Sequence, residues 1–312
     1  MFFRVIVKRL AQAVPVFLGI SILVFFMLSY IPGNAADILA LEGGGSVSGE
    51  ELQKLREQLG INDPVWQQYW RFFTKAIRGD LGRSIRTNQP VTKMLMENLP
   101  STIQLAATSM VLAVIIGLTL GIIAGIKHGT WVDRGSMVLA LLGWSMPQFW
   151  LGLVLMLVFS IKLKVLPITG GTEWQRMILP ALTLALGFAG IIARLVRTEI
   201  LEELRKEYVR TARSKGLKES AVLIIHVLRN SMISVVTIIG LQFGRMLGGA
   251  VIVESVFARQ GVGRMAIDAL IDRDMPVVQG AVLFLALVFL LSNLLVDITY
   301  SLLDPRIRIQ SE

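Results

Sequence analysis

The sequence contains no cysteine and only two histidines, His128 and His226, among its 312 residues. The lack of cysteine excludes disulfides and thiolate metal ligands, and it leaves the redox compartment open. Two histidines far apart in sequence exclude a histidine-based metal cluster, so we expect no metal site. Charged residues are scarce, at 17% against about 25% in a typical soluble domain. Together with 54% hydrophobic residues, this scarcity excludes an ordinary soluble domain and a disordered chain.

The hydrophobic residues occur in long runs. Four runs contain no Asp, Glu, Lys or Arg, and each can cross a hydrocarbon layer of about 30 Å; they are 10–36, 98–126, 135–161 and 275–296. Two more are shorter or interrupted, because 177–193 ends at Arg194 and 230–253 contains Arg245. We therefore predict an all-α integral membrane protein with six transmembrane helices. A cleaved signal peptide is the alternative for the first run, which exceeds the usual ~7–15 apolar residues.

The predicted organisation has four parts. They are a transmembrane helix over 1–31, an extracytoplasmic helical insertion over 32–98, a five-helix core over 99–303 with a cytoplasmic loop at 199–230, and a tail over 304–312. With six spans, the short segments on one side hold 16 Lys and Arg, and those on the other hold six. Basic residues favour the cytoplasmic side, so we predict that both termini are cytoplasmic. The same bias accounts for the net charge of +9 without a nucleic-acid partner.

The insertion is predicted to form two amphipathic helices. Ser48–Glu51 has the spacing of a capping box, which predicts that the first helix starts there. The second begins at Pro64, ends near Gly79 and carries several aromatic side chains, at Trp66, Tyr69, Trp70, Phe72 and Phe73. Such aromatics are typical of packing against the spans or of the lipid interface. A docking surface for an external partner is the alternative.

Small residues and a proline mark three of the predicted spans. Glycines recur at four-residue spacing in two sets, at 117, 121 and 125 and at 240, 244 and 248. This spacing predicts close helix packing in lipid, with a backbone-lined passage as the alternative. Pro147 lies in the middle of a run and predicts a kink.

The 194–230 segment is predicted to be a short helix-turn-helix between two spans. Apolar or aromatic residues recur every four residues and give one helical face, at Ile200, Leu204, Tyr208 and Ala212. Gly216 is expected to end this helix, and Ser220 to cap a second one over Ala221–Leu228. An amphipathic loop at the lipid surface is the plain alternative.

Sequence motifs for catalysis are missing. The chain has no G-x-x-x-x-G-K-[ST] phosphate loop, no G-x-S-x-G and no H-E-x-x-H. The ionisable residues within spans are Arg245, Glu254 and Asp297, and such residues are functional candidates because they are costly in lipid. Glu254 lies near the outer end of its span and is expected to reach water.

One string in the cytoplasmic segment carries a family resemblance. Tyr208–Leu217, which reads YVRTARSKGL and is followed by His226–Asn230, resembles the coupling loop (E-A-A-x-x-x-G) of bacterial ATP-binding-cassette importer permeases. The similarity is to the dipeptide/oligopeptide/nickel/glutathione branch. Further strings of this branch cover nearly the whole chain: Pro32-Gly33, Gly79–Ser84, Ser145–Pro147, Ile178–Pro180, Gly261–Arg264, Arg273-Asp274, Asn293–Asp297 and Asp304–Arg308. Arg210 replaces the Glu of the general loop, and Arg245 stands where relatives often carry a small or neutral residue.

The resemblance implies the membrane subunit of a type I importer in the cytoplasmic (inner) membrane. Its implied partners are a second homologous permease subunit, two ATP-binding subunits and an extracytoplasmic substrate-binding protein, all assembled at the lipid bilayer. The chain would not be an enzyme and would hold no cofactor, because the partner subunits would bind ATP and Mg and hydrolyse the ATP. The implied cargo is a dipeptide, an oligopeptide or a glutathione-like peptide.

The resemblance also assigns roles to residues. The ATPase-coupling residues would be Leu204, Tyr208, Arg210, Thr211, Ala212, Arg213, Lys215 and Gly216. Leu204 and Tyr208 are expected to enter a groove on the ATPase, with the basic residues around them. From their positions within the spans, the candidates for the translocation path are Arg245, Trp144 and Gln148.

Three other functions stay open at this stage. A nickel or nickel-chelate importer would have the same architecture. An ion-coupled secondary transporter would work alone, but the chain shows no convincing internal repeat and its carboxylates lie toward span ends. An intramembrane enzyme would need a nucleophile–base pair, which the chain does not offer.

Overall fold

The computed structural model describes residues 2–30, 53, 62–168 and 170–303, with side chains described from residue 9 and not at 233, 237, 295 and 297–303. Apart from residue 53, the predicted first helix of the insertion lies outside these residues, and so does the tail over 304–312. Within them the chain is helical and contains no strand, only an isolated bridge between Arg83 and Pro90. The all-α prediction is therefore confirmed.

Eleven helices occur in the described residues, with two π-helical segments. In chain order they are α1 (Phe2–Ser29), α2 (Val65–Ile77), α3 (Val91–Ile126), α4 (Trp131–Ser145), α5 (Gln148–Leu155), α6 (Glu173–Leu204), α7 (Glu207–Ser214), α8 (Glu219–Ala221), α9 (Arg229–Val256), α10 (Val262–Ile271) and α11 (Met275–Leu303). The π-helical segments are Met156–Lys162, after α5, and Val222–Leu228, between α8 and α9.

Five helical stretches of the described residues are long and apolar enough to cross a membrane: Arg9–Ser29, Val91–Ile126, Glu173–Leu204, Glu219–Val256 and Met275–Leu294. The sixth candidate is a pair, Trp131–Ser145 and Gln148–Lys162, bent by 109°. Pro147 therefore breaks the span, where the sequence predicted only a kink. Both Met146 and Pro147 are extended, with ψ of 134°. Proline disfavours the helical conformation in the residue before it, which explains the end of the helix at Met146.

The described chain divides into two compact units. The first consists mainly of Phe3–Ser101 and Gln260–Leu290. In it, α2 lays its aromatic side chains on α1: the ring of Phe25 lies 5.4 Å from Tyr69 and 5.8 Å from Phe72. Packing against a span is thus confirmed for these two residues, whereas Trp66 and Trp70 are mostly exposed. The unit also buries Ser84, whose hydroxyl donates to Asp274 at 2.5 Å.

The second unit consists mainly of Thr102–Arg259 and Leu291–Glu312. Its core holds α6, which contributes fully buried Ile192, Val196 and Ile200. The first glycine set meets these residues in order: a Cβ placed at Gly117 would lie 2.7 Å from Ile192, and one at Gly121 would lie 2.6 Å from Val196. Close packing is therefore confirmed for this set.

The second glycine set behaves differently along its length. A Cβ at Gly240 would lie 2.8 Å from Val296, so close packing is confirmed there. A Cβ at Gly248 would meet nothing in this chain within 4 Å. The prediction of close packing is wrong for Gly248 within the described chain, because its side of α9 is exposed.

Candidate coupling segment and membrane cavity

The segment between α6 and α9 contains two helices where the sequence predicted one up to Gly216. Helix α6 ends at Leu204, Lys206 is extended with ψ of 145°, and α7 begins at Glu207. The break changes which residues face the core, since Val209 and Ala212 are buried while Tyr208 is only partly buried. A continuous helix with the face Ile200, Leu204, Tyr208 and Ala212 is therefore wrong.

Hydrogen bonds and an ion pair stabilise this break. Glu203 is buried. Its carboxylate accepts a hydrogen bond from the Tyr208 hydroxyl and forms an ion pair with the Lys206 ammonium. Asn230 of α9 donates to the same hydroxyl at 3.0 Å. Burial and the Glu203 hydrogen bond raise the pKa of Tyr208, and the Glu203 hydrogen bond raises the pKa of Lys206. The network joins α7 to both flanking spans.

The apolar side of α7 packs on the chain's own core. Val209 is completely buried and Ala212 nearly so, and Leu204 and Tyr208 are partly buried against the same cluster. The chain's own core therefore partly covers Leu204 and Tyr208, and their insertion into a partner's groove stays a prediction. Their contacts within the chain already remove most of that surface from a partner.

The opposite side of α7 is polar and exposed. The exposed residues of this side and of the turn that follows α7 are Glu207, Arg210, Thr211, Arg213, Ser214, Lys215 and Gly216. Arg210 pairs with Glu207 at 3.0 Å, and both side chains are more than two-thirds exposed. Arg213 pairs with Glu219 at 2.5 Å, and this hydrogen bond raises the pKa of Arg213. The surface that a partner can reach is therefore charged, with three cationic side chains at Arg210, Arg213 and Lys215.

The turn after α7 depends on Gly216, whose φ of +76° is in the left-handed region. The second helix starts at Glu219, with Lys218 in the N-cap position and no side-chain cap. The predicted cap by Ser220 is wrong, because Ser220 lies inside the helix. Leu217 follows the glycine and is exposed.

The three path candidates have different surroundings in the second unit. Arg245 is exposed on α9, beside exposed Gly248. The Gln148 amide lies close to Gly249, since a Cβ placed there would be 3.0 Å from its Oε1. Trp144 is half-exposed near the end of α4, and the guanidinium of Arg194 lies 5.3 Å above its ring.

Glu254 is fully buried, so the expectation that it reaches water is wrong. The side chain of Asp297 lies outside the described residues.

Sequence reasoning missed a partly buried ion pair between α4 and α6. Arg197 donates from Nε to one oxygen of Asp133 at 2.7 Å and from Nη2 to the other at 2.9 Å. Asp133 also accepts from the backbone N–H of Gly129 at 3.0 Å, and His128 Nδ1 lies 3.2 Å away. No local pattern in the sequence identifies this pair, because 64 residues separate its members.

Comparison with known proteins matches two family models. Residues 117–309 match the binding-protein-dependent transport system inner membrane component, and residues 2–106 match the N-terminal model of the same transport-system membrane components. The chain belongs to the binding-protein-dependent transport system inner membrane component family. The importer-permease resemblance of the sequence is thereby confirmed, and so is its placement as a multi-pass inner-membrane protein.

Curated relatives agree along nearly the full chain. The glutathione transport system permease protein GsiC of Escherichia coli strain CFT073 is 42% identical over 303 residues, which cover 97% of this chain and 98% of that protein. GsiC of Escherichia coli K12 and of Salmonella paratyphi A are each 41% identical over the same shares.

Solved structures support the fold. The inward-facing methionine ABC transporter MetNI matches with a TM-score of 0.58 at 16% identity, over 68% of this chain and 96% of that one. An amino acid ABC transporter with histidines matches with a TM-score of 0.54 at 16% identity, over 67% and 94%. The type I importer fold expected from the sequence is confirmed.

Proposed function

We propose that this chain is the permease subunit of an ATP-driven importer that moves glutathione or short peptides into the cytoplasm. Support for the cargo comes from the 41–42% identity to GsiC over 97% of the chain. A second, homologous permease subunit completes the pore, two ATP-binding subunits hydrolyse ATP, and an extracytoplasmic binding protein delivers the cargo. Both termini and α7 lie on the cytoplasmic side, consistent with the bias of Lys and Arg.

The observation that carries the coupling role is the exposed polar face of α7, fixed to its spans by the Glu203–Tyr208–Asn230 network. In our proposal the ATPase binds this charged face, while the apolar residues anchor α7 to its own chain. Closure of the ATPases then moves α6 and α9 as a rigid body. Leu204, Tyr208 and Ala212 act as internal anchors, and Arg210, Thr211, Arg213 and Lys215 form the contact surface.

Co-purification and uptake test this function together. The tagged chain, extracted in mild detergent from cells that express the whole transport system, should bring down the ATP-binding subunits and a second six-span protein. The same complex in proteoliposomes should take up labelled glutathione or a labelled dipeptide only with ATP and the binding protein. A chain that purifies alone in several mild detergents would contradict the importer assembly.

Arg210→Ala isolates the contact surface from folding. Its ion pair with Glu207 is exposed on both sides and contributes little to stability. We expect the variant to fold normally and to lose ATPase binding. Lys127→Ala is the matched control, because Lys127 is exposed in a different cytoplasmic loop. Equal retention of the ATPase by both variants would exclude Arg210 from the contact surface.

A further inference from the structure

A cavity of about 280 Å³ lies between α4 and α6 in the second unit. Met137, Leu141 and Ile191 give it an apolar wall. Trp144, Arg194 and Arg197 also line it and give it two guanidinium groups and an aromatic ring. An apolar cavity with few polar groups is the usual form of a site for a small ligand.

The two arginines of this cavity differ in their availability to a ligand. Arg197 already uses Nε and Nη2 in its paired hydrogen bonds to Asp133. The guanidinium of Arg194 lies 5.3 Å above the ring of Trp144 and is exposed, and the ion pairs found among the described residues do not include it. A cation–π contact uses none of the guanidinium N–H donors, so they can bind an anion.

The direction of the Arg194 side chain places its charge beside the apolar part of the span. Side chains of a helix point toward its N-terminus, and Arg194 ends the uncharged run 177–193. Its partner Trp144 lies against Gly190, where a Cβ would be 3.0 Å from that of Trp144. Gly190 is four residues earlier in α6, or about 6 Å along the helix axis. A charged side chain within a span is costly in lipid and mostly faces the bundle interior or a water-filled cavity, and Arg194 faces the cavity.

We propose that this cavity is a transient binding site on the translocation path, in which Arg194, held by Trp144, binds a carboxylate of the cargo. A carboxylate accepts paired hydrogen bonds from a guanidinium, and glutathione and peptides carry this group. The inference rests on the proposed function and adds a residue to it, since the sequence singled out Trp144 but not Arg194. The weak, aromatic-backed site suits a cargo that must also leave.

Thiol labelling tests whether the cavity is part of a water-filled path. The chain has no cysteine, so each single-cysteine variant carries one thiol. Leu141→Cys lies in the cavity wall and keeps Arg194, and Leu139→Cys is the matched control on the other side of α4. Leu141 and Leu139 are 54% and 62% exposed in the chain by itself. In the assembled complex in lipid, a membrane-impermeant maleimide should label L141C faster than L139C, and glutathione with its binding protein should slow that labelling during turnover. Labelling of L141C no faster than that of L139C would overturn the proposal.

Uptake measured per ATP hydrolysed tests the charge itself. In the complete complex with binding protein, Arg194→Met should lower glutathione uptake per ATP about tenfold, the value expected for loss of a charged hydrogen bond. Stimulation of the ATPase should persist, and Arg194→Lys should restore most of the uptake. If Arg194→Met and Arg194→Lys lowered uptake to the same extent, and the ATPase rate fell in both, Arg194 would have a structural role and the proposal would be overturned. Wild-type complex that imports neither glutathione nor a dipeptide would overturn the proposed cargo instead, and L141C labelling would then decide the cavity by itself.

Discussion

Replacing Gly121 with alanine tests the packing between α3 and α6. A Cβ at this position would lie 2.6 Å from the carbonyl oxygen of Ala193 and 2.6 Å from the Cβ of Val196. Both distances are well inside the ordinary contact distance of about 3.5 Å. The carbonyl belongs to the backbone and cannot rotate away, so the helices must separate. Overpacking of this kind costs roughly 1–3 kcal/mol.

Gly135→Ala is the matched control, because a Cβ in this part of α4 would meet nothing within 4 Å. Alanine is favoured over glycine inside a helix by about 1 kcal/mol, and this gain is common to both variants. Their difference therefore reports overpacking alone, and each kcal/mol corresponds to about 2–4 °C in melting temperature. We expect G121A to melt below wild type and G135A at or above it, measured as the fraction surviving heating on size-exclusion chromatography in one detergent. A G121A variant with the same melting temperature as G135A would refute the close approach of α3 and α6.

Three further predictions concern single residues. Gly216→Val forces a β-branched residue to a φ of +76°, and it should reduce uptake per ATP hydrolysed. Gly79→Val, in a different turn with a φ of +82°, is the control. Full coupling in the Gly216 variant would exclude a role for this turn. Asp133→Asn leaves the largely buried Arg197 without its carboxylate and should cost about 2 kcal/mol, seen as a lower melting temperature. An unchanged temperature would contradict the pair. Ser84→Ala removes the donor to buried Asp274 and should cost about 1–2 kcal/mol by the same measurement, and a neutral result would show that water replaces it.

Periodicity and composition predicted the parts of the fold that depend on local rules. Charge-free runs predicted the spans, and four-residue glycine spacing predicted that α3 packs closely against another helix, because both depend only on what lies on one helix face. The same rules failed at Gly248, since spacing cannot show whether a neighbouring helix covers the face. They also failed to identify the pair of Asp133 and Arg197, because tertiary contacts across 64 residues leave no local pattern.

The coupling segment shows how two residues can invert the interpretation of a helix. Four-residue spacing from Ile200 to Ala212 predicts one apolar face, and any surface left exposed on it would suit an apolar groove in a partner. The extended backbone at Lys206 rotates α7 relative to α6, so that Val209 replaces Tyr208 among the fully buried residues. Tyr208 then becomes the hydrogen-bonded link between Glu203 and Asn230. What remains for a partner is a charged face, and an interface of that kind is sensitive to salt. We therefore expect ATPase binding to weaken as ionic strength rises, which an apolar interface would not show.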